Sequence, residues 1–322
     1  MNKEQLLRER MFVAVGGLCK MLPAFRGRVR LFLLLFSALD LRHRHLRTRA
    51  SLIEPTEYVA ELDLHSWLQR IAFLTGGYEA DTVRFLLRLQ ESHGSDGYLL
   101  DVGANIGLIS IPFVLLSLAD ERARETKEVV AIAIEAVPDN YQALQINVAL
   151  NQLGHHLSVH QVALGETAKT IEIQVEGDLE AGQGSGTANI LPDGSTYECV
   201  RQTLALHKLD DIGLPPGCSV IKIDTDGYDL KVMQGSTEFL KSERPVIFGE
   251  FSAHCMAWHG QTLNDVMEFA TANDYLVLEK LPSMWKFSKA LNAQAFLQDL
   301  LLVPDELVQH YLWCIEAGET TE

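Results

Sequence analysis

The ten residues from Tyr98 to Gly107, YLLDVGANIG, constrain this chain more than any other stretch of it. Leu99, Leu100 and Val102 make a short apolar run that ends on glycine, which predicts a buried strand, a sharp turn and then a helix. Gly103 and Gly107 let the backbone turn tightly and come close to a ligand. Asp101 puts a carboxylate at the strand end, where open α/β sheets bind their ligands. The spacing also excludes something. A pyrophosphate cradle needs G-x-G-x-x-G, and here Ala104, Asn105 and Ile106 separate the two glycines. A nicotinamide-dependent dehydrogenase is therefore disfavoured.

The pattern D-x-G-x-x-x-G resembles the first motif of class I S-adenosylmethionine-dependent methyltransferases, whose ligand carries a ribose and an amino-acid tail but no phosphate. A second apolar strand, VVAIAIE at 129–135, ends in Glu135 about one βαβ unit later. An ionised acid only accepts hydrogen bonds, so a carboxylate there suits both hydroxyls of a ribose. Capping of the helix that begins near Asp139 is the competing role. The run SVHQVALG at 158–165 ends in a small-residue turn, where an adenine can lie flat beside Ala163.

Further blocks follow in order: IEAVPDNYQALQINVALN, VALG, KLDDI at 208–212 and IKIDTDGYDLKVMQGSTEFLKSERPVIFGEFS at 221–252. Together with DVGANIG this order resembles the FkbM family of methyltransferases over roughly residues 58–303. The chain departs from the usual pattern at Asp226 and Asp229, where Glu is common, and at Tyr228, where alanine is common. The resemblance implies an α/β fold of the class I methyltransferase (Rossmann-like) type, with a seven-stranded, mostly parallel sheet and helices on both faces. It also implies S-adenosylmethionine as cofactor, held by Asp101, Gly103, Ala104, Asn105, Gly107, Glu135 and Ala163. Asn105 has a helix cap as its alternative role.

Proton transfer from an alcohol needs a base near the methyl carbon, and the strand ends VIKID and VIFGE supply Asp224 and Glu250. His254 and His207 are further candidates, and we take Asp224, Glu250 and His254 as the catalytic set. Asp226 and Asp229 are equally well read as a solvated turn and helix start. Asp224, Asp226 and Asp229 offer hard oxygen ligands without a completed set. His254, Cys255 and His259 match no common zinc spacing, so no metal site is expected. The implied acceptor is a small molecule with a hydroxyl, a sugar or a secondary metabolite. A catalytically silent binding protein on the same fold is the alternative from another class, motivated by the departures at the acidic positions.

Charge divides the chain unevenly. Residues 1–50 hold eleven Lys or Arg against three acids, a balance of +8, so the remainder carries −24 of the −16 total. An acidic body repels phosphates, which argues against a nucleic acid partner. The basic arm includes LFLLLFSAL at 31–39, at nine residues too short to span a bilayer. Two readings stay open for it. It can lie at a membrane surface with its arginines toward anionic lipid, or it can pack on the body or form a homodimer seam. The expected division is a helical extension over 1–57 and a methyltransferase domain over 58–322. Five cysteines stand apart with no C-x-x-C pair, as expected of reduced thiols in a cytoplasm.

The remaining architecture follows from pattern. TIEIQVEG at 170–177 alternates strictly and reads as an added antiparallel strand. Residues 178–198 are glycine-rich and polar, a loop that is either a substrate lid or a surface excursion. YLVLEKL and DLLLVP are expected to pair antiparallel at a sheet edge. Pro112 is expected to cost a hydrogen bond in the helix after Gly107.

Overall fold

In a computed structural model of the chain, the described residues are 10–14, 16, 30, 34, 47–64, 66–93, 97–119, 129–176, 188–189, 199–280, 285–288, 291 and 298–315. The central sheet is built on β3 (Tyr98–Val102), β4 (Ala131–Glu135), β5 (Leu157–Gln161), β10 (Cys218–Ile223) and β11 (Val246–Phe251). Every residue of β3, β4 and β10 is buried, which is why these runs are apolar without alternation. Two further strands, β12 (Tyr275–Lys280) and β14 (Gln298–Pro304), extend it, with a three-residue edge strand β13 (Trp285–Phe287) outside them.

The spatial order is β13-β12-β14-β11-β10-β3-β4-β5. Pairs from β11 through β10, β3 and β4 to β5 are parallel, while β14 runs antiparallel to both neighbours. The expected seven-stranded sheet is thus present, with β13 as an eighth strand that the sequence pattern did not announce. The order reverses between β3 and β10. Chains leaving those two strands diverge to opposite sides, and a crevice opens at their carboxyl ends.

Helices cover both faces. On one lie α1 (Trp67–Thr75), α2 (Ala80–His93), α3 (Ser110–Ser117) and α4 (Pro138–Leu150), around a core that includes Leu86, Leu99, Phe113, Leu144 and Phe248. On the other lie α5 (Asp229–Gln234), α6 (Thr237–Glu243), α7 (Ala253–Trp258) and α8 (Leu263–Ala272), around Leu100, Ile221, Met233, Met256 and Leu302. Pro112 is the third residue of α3. Its missing N–H is one that no helix uses internally, so the expected cost does not arise.

The amino-terminal side departs from expectation. Residues 47–52 form a strand, β1 (Arg47–Leu52), paired antiparallel with β2 (Tyr58–Asp63), so the boundary at 57 divides a hairpin. The reason lies in the alternation: Ala50 and Leu52 are buried while Arg49 is exposed, a period of two rather than of a helix. Of the rest of the arm, Phe12 is fully buried, its ring centroid 6.5 Å from that of Phe73 on α1. The apolar run at 31–39 falls outside the described residues apart from Leu34, which is exposed. No helix among the described residues is long and apolar enough to cross a membrane.

A second, four-stranded sheet has the order β6-β9-β7-β8, from β6 (Ala163–Leu164), β7 (Lys169–Glu176), β8 (Ala188–Asn189) and β9 (Cys199–His207). The alternating segment at 170–177 is β7, antiparallel to β9 as expected. The glycine-rich segment at 178–198 lies outside the described residues except for the two of β8. Cys218, Cys255 and Cys314 are free thiols.

Asn147 on α4 and Asn151, which caps its carboxyl end one turn later, fasten the hairpin to the body. Asn147 Oδ1 accepts from Glu61 N at 2.7 Å and its Nδ2 donates to Ile106 O at 3.0 Å. Asn151 makes the paired contacts with Val59, accepting from N at 2.9 Å and donating to O at 2.7 Å. Asn147 is fully buried and reaches both β2 and the turn after β3. Its replacement by alanine strands a backbone donor and a backbone acceptor in the interior. Asn147→Ala is expected to lower stability by about 2–4 kcal/mol, read as a shift in the urea midpoint.

Candidate active site

A cavity of about 320 Å³ opens at the carboxyl ends of β3, β4, β10 and β11. One wall is the turn after β3, with Gly103, Ala104 and Asn105, together with Glu135 at the end of β4. A second holds Tyr78, Lys222, Asp224, Asp226 and Glu250. The third is apolar, from Ala163, Ile171, Ile173, Leu204 and Leu206 of the smaller sheet.

The turn owes its shape to three left-handed residues: Gly103 at φ 82°, Asn105 at 51° and Gly107 at 89°. A β-carbon on Gly103 would lie 1.9 Å from the carbonyl oxygen of Asp224, so no other residue fits there. Asn105 tolerates the same region better than most side chains. Its backbone N–H donates to Glu135 Oε2 at 2.7 Å. Helix α3 begins only at Ser110, so Asn105 shapes the turn and is not a helix cap.

Glu135 is buried, and its Oε1 accepts from the N–H of Val137, the residue that opens α4, at 2.8 Å. Each oxygen thus holds one backbone amide, and the Asn140 side chain donates to the same carboxylate, which lines the cavity. The helix-capping role is thus present in this side chain. Burial raises its pKa, opposed by the N–H groups of Val137 and Asn105 and by Asn140.

Asp101 is wholly buried and absent from the cavity wall. Its Oδ2 accepts from Ser110 Oγ at 2.5 Å, and its Oδ1 lies 3.3 Å from Lys222 Nζ. Lys222 faces Asp101 across the β10–β3 register, and its ammonium is also 3.3 Å from Asp224 Oδ2. Burial works against that charge, but the carboxylates of Asp101 and Asp224 outweigh it and hold the pKa above the ordinary lysine range. Asp224 itself is half-exposed at the cavity rim.

Glu250 comes from β11 on the same wall. Its pKa is pushed up to about 7, first by burial, then by the charges of Asp224, Glu79 and Asp299, with Lys222 opposing. A carboxyl group poised there exchanges protons near neutrality, as a general base must. Tyr78 stands beside it, its pKa raised by burial and by Glu79, Asp224 and Glu250.

Of the expected cofactor residues Gly107, like Asp101, is absent from the wall, and two candidate bases also fall elsewhere. His254 is exposed on α7, its ring 5.1 Å from that of Trp258, and it does not line the cavity. Ser252 ends the strand by capping α7, so the chain has turned away from the crevice before reaching 254. His207 is exposed at the end of β9 and also off the wall. Asp229, read as solvated, is wholly buried and accepts from Thr225 N, Thr225 Oγ1 and Gly227 N at 2.8, 3.0 and 3.0 Å. Burial pushes its pKa up to about 6. Among the described residues, no group of three or more His, Cys, Asp or Glu is set to hold a metal ion.

Three wall features were missed in the sequence. Lys222 sat inside an apolar run, where a buried cation implies a carboxylate partner. Tyr78 follows two glycines in the lead-in and had no motif to mark it. The apolar face of the smaller sheet was legible as alternation, but its destination was not. Tyr228 fills the place of a usual alanine: its ring packs with Ala163 and Leu206, and its hydroxyl donates to Glu166 at 3.1 Å.

With this geometry in view, the family model described as Methyltransferase FkbM domain matches residues 101–277. Solved structures with a similar chain path include the methyltransferase FkbM from Methylobacillus flagellatus KT, 17% identical, with a TM-score of 0.39 over 64% of this chain and 43% of that one. The tRNA m1G37 methyltransferase of M. jannaschii is 12% identical, with a TM-score of 0.41 over 86% of this chain and 65% of that one. The Pyrococcus abyssi tRNA (uracil-54, C5)-methyltransferase in complex with S-adenosyl-L-homocysteine is 10% identical, with a TM-score of 0.35 over 80% and 43%. The chain thus spans less than half the length of the first of these. No curated protein matches the sequence.

The loop from 224 to 228 forms part of the wall, and Asp229 gathers three of its donors. Asp229→Ala releases all three and is expected to cost about 2–3 kcal/mol, measured by urea unfolding. Asp229→Asn, which keeps one acceptor oxygen, is expected to lose less.

Proposed function

The chain belongs to the FkbM methyltransferase family, and from that premise we propose that it is an S-adenosylmethionine-dependent O-methyltransferase whose acceptor is a hydroxyl of a sugar or small metabolite. The observation that carries this reading is the division of one cavity between two unlike acids, Glu135 on one side of Gly103 and Glu250 on the other.

The donor-side residues fit a nucleoside with an amino-acid tail. Glu135 is held by two backbone amides and the Asn140 side chain, and as an ionised acceptor it has about one further lone-pair position for a ribose hydroxyl. Ala163, with Val137 and Val162 nearby on the wall, offers a flat apolar patch to adenine. Gly103, Ala104 and Asn105 bring backbone to the cavity edge, Gly107 closes the turn, and Asp101 steadies its base through Ser110 and Lys222. Bound there, S-adenosylmethionine supplies a methyl group on a sulfonium sulfur.

On the acceptor side, Glu250 takes the hydroxyl proton and Asp224 accepts a hydrogen bond that orients the alcohol. His254 has no part in this reading, because it does not line the cavity. Among the described residues the wall has one cation, Lys222, already held by two carboxylates, which favours an acceptor that is neutral or positively charged over a phosphorylated one.

The sign of the pH dependence follows from the base role. Glu250 works deprotonated, so methyl transfer rises as pH climbs through about 7 and levels off above it. With labelled S-adenosylmethionine and a panel of sugars and hydroxylated metabolites, the parent is expected to show that limb. Glu250→Gln is expected to lose about 10²-fold or more in kcat and to flatten the profile. Turnover on no hydroxyl acceptor, or an unchanged rate in Glu250→Gln, would remove the assignment.

A further inference from the structure

Lys222 is a buried charge and costly to desolvate. It sits in the middle of a parallel sheet, 5% exposed, on a strand whose other residues are all buried, and a positive charge there persists only with carboxylates at hand. Two are present, each 3.3 Å from its Nζ, and they belong to different parts of the site. Asp101 closes β3 beneath the donor turn, and Asp224 follows β10 on the acceptor rim. The strand register extends the link: Lys222 is opposite Asp101 on one side and Phe248 on the other, and Glu250 lies two residues beyond Phe248 on the same face of β11.

We propose that Lys222 is a positioning residue: its buried ammonium ties the end of β3 to the end of β10 and supplies the positive potential that keeps Glu250 in its proton-accepting form. This rests on the reading of Glu250 as the base. The groups facing Glu250 are Asp224 from the segment after β10, Asp299 from β14, and Glu79 and Tyr78 from the connection between α1 and α2. Lys222 is the cation whose charge opposes them at Glu250, and Lys280 at the end of β12 pairs with Asp299. Without it, Asp224 and Glu79 would press harder on a half-buried carboxyl. The direction of each influence agrees, since burial, Asp224, Glu79 and Asp299 raise the Glu250 pKa and Lys222 lowers it.

The arrangement separates charge from shape. Asp101 lies on β3, two strands from β11, with Lys222 on the strand between them. Removing its charge therefore reaches Glu250 through Lys222, whose ammonium then has one fewer carboxylate to satisfy.

The experiment is a carbon-13 NMR titration of the full-length protein labelled at glutamate Cδ, with Glu250→Gln used to assign the signal. In the parent, Glu250 is expected to titrate near pH 7. A parent midpoint in the ordinary range near 4 would overturn the base assignment itself, separately from the role of Lys222. Given the raised midpoint, Lys222→Met is expected to move it up by about one pH unit or more, and Lys222→Arg to leave it close to the parent value. Asp101→Asn, which preserves shape and the Ser110 contact, is expected to move it down. If Lys222→Met does not fold, Asp101→Asn decides. A folded Lys222→Met with the parent midpoint, or an Asp101→Asn midpoint that stays or rises, would overturn the proposal.

Discussion

The carbonyl oxygen of Asp224 occupies the space where any residue but glycine at 103 would carry its β-carbon. That close approach draws two strand ends together at the point where the sheet order reverses, and the geometry of the cavity follows from it. Asp224 N donates to Val102 O at 3.0 Å, while Gly103 N and Ala104 N both donate to Ile134 O at 3.0 Å. Three strands therefore finish at one place with their backbones interlocked. The register that results sets Lys222 beside Asp101, leaves Asp224 on the rim and lets Glu135 hold the turn through Asn105. A glycine here serves close backbone approach rather than phosphate binding, which explains why the second glycine of a dinucleotide cradle is missing.

Glu135 and Glu250 both line the cavity, and their surroundings differ in kind. Glu135 loses solvation but gains two backbone N–H groups, directional partners that fix the carboxylate in place. Glu250 loses solvation and gains mainly neighbours of its own sign. The first environment builds a rigid acceptor and the second a proton-exchanging one. Environments that set titratable groups apart in this way are how one site divides binding from proton transfer. Lys222 stands between the two, charged because Asp101 and Asp224 require it to be.

Backbone features of this site were more legible in the sequence than its side-chain electrostatics. The strand at 98–102, the Gly103 to Gly107 turn and the acid ending β4 could be placed because short-range rules govern them: apolar runs, glycine conformations and strand-end position. The antiparallel pairing of β12 with β14 was legible for the same reason. What escaped depended on register between distant strands. Lys222 carries no site signal until β10 is set against β3, and the choice left open for Asp229 is decided only when the loop of 225–227 folds over it. His254 was placed near the site by its proximity to Glu250 in sequence, yet a helix cap at Ser252 redirects the chain within two residues. The β1–β2 hairpin was obscured by arginines that looked like a helical arm, although Ala50 and Leu52 already alternate with them.

The central claim is that the end of β4 and the turn after β3 form a nucleoside site. Calorimetric titration of the purified chain with S-adenosylhomocysteine, beside folded Glu135→Ala, tests it most directly. The account predicts one-to-one binding by the parent and a loss of at least about tenfold in Glu135→Ala, with the ribose hydroxyls left without their acceptor, worth about 1.4 kcal/mol or more. Equal affinity in the two proteins, or no binding by the folded parent, would contradict it.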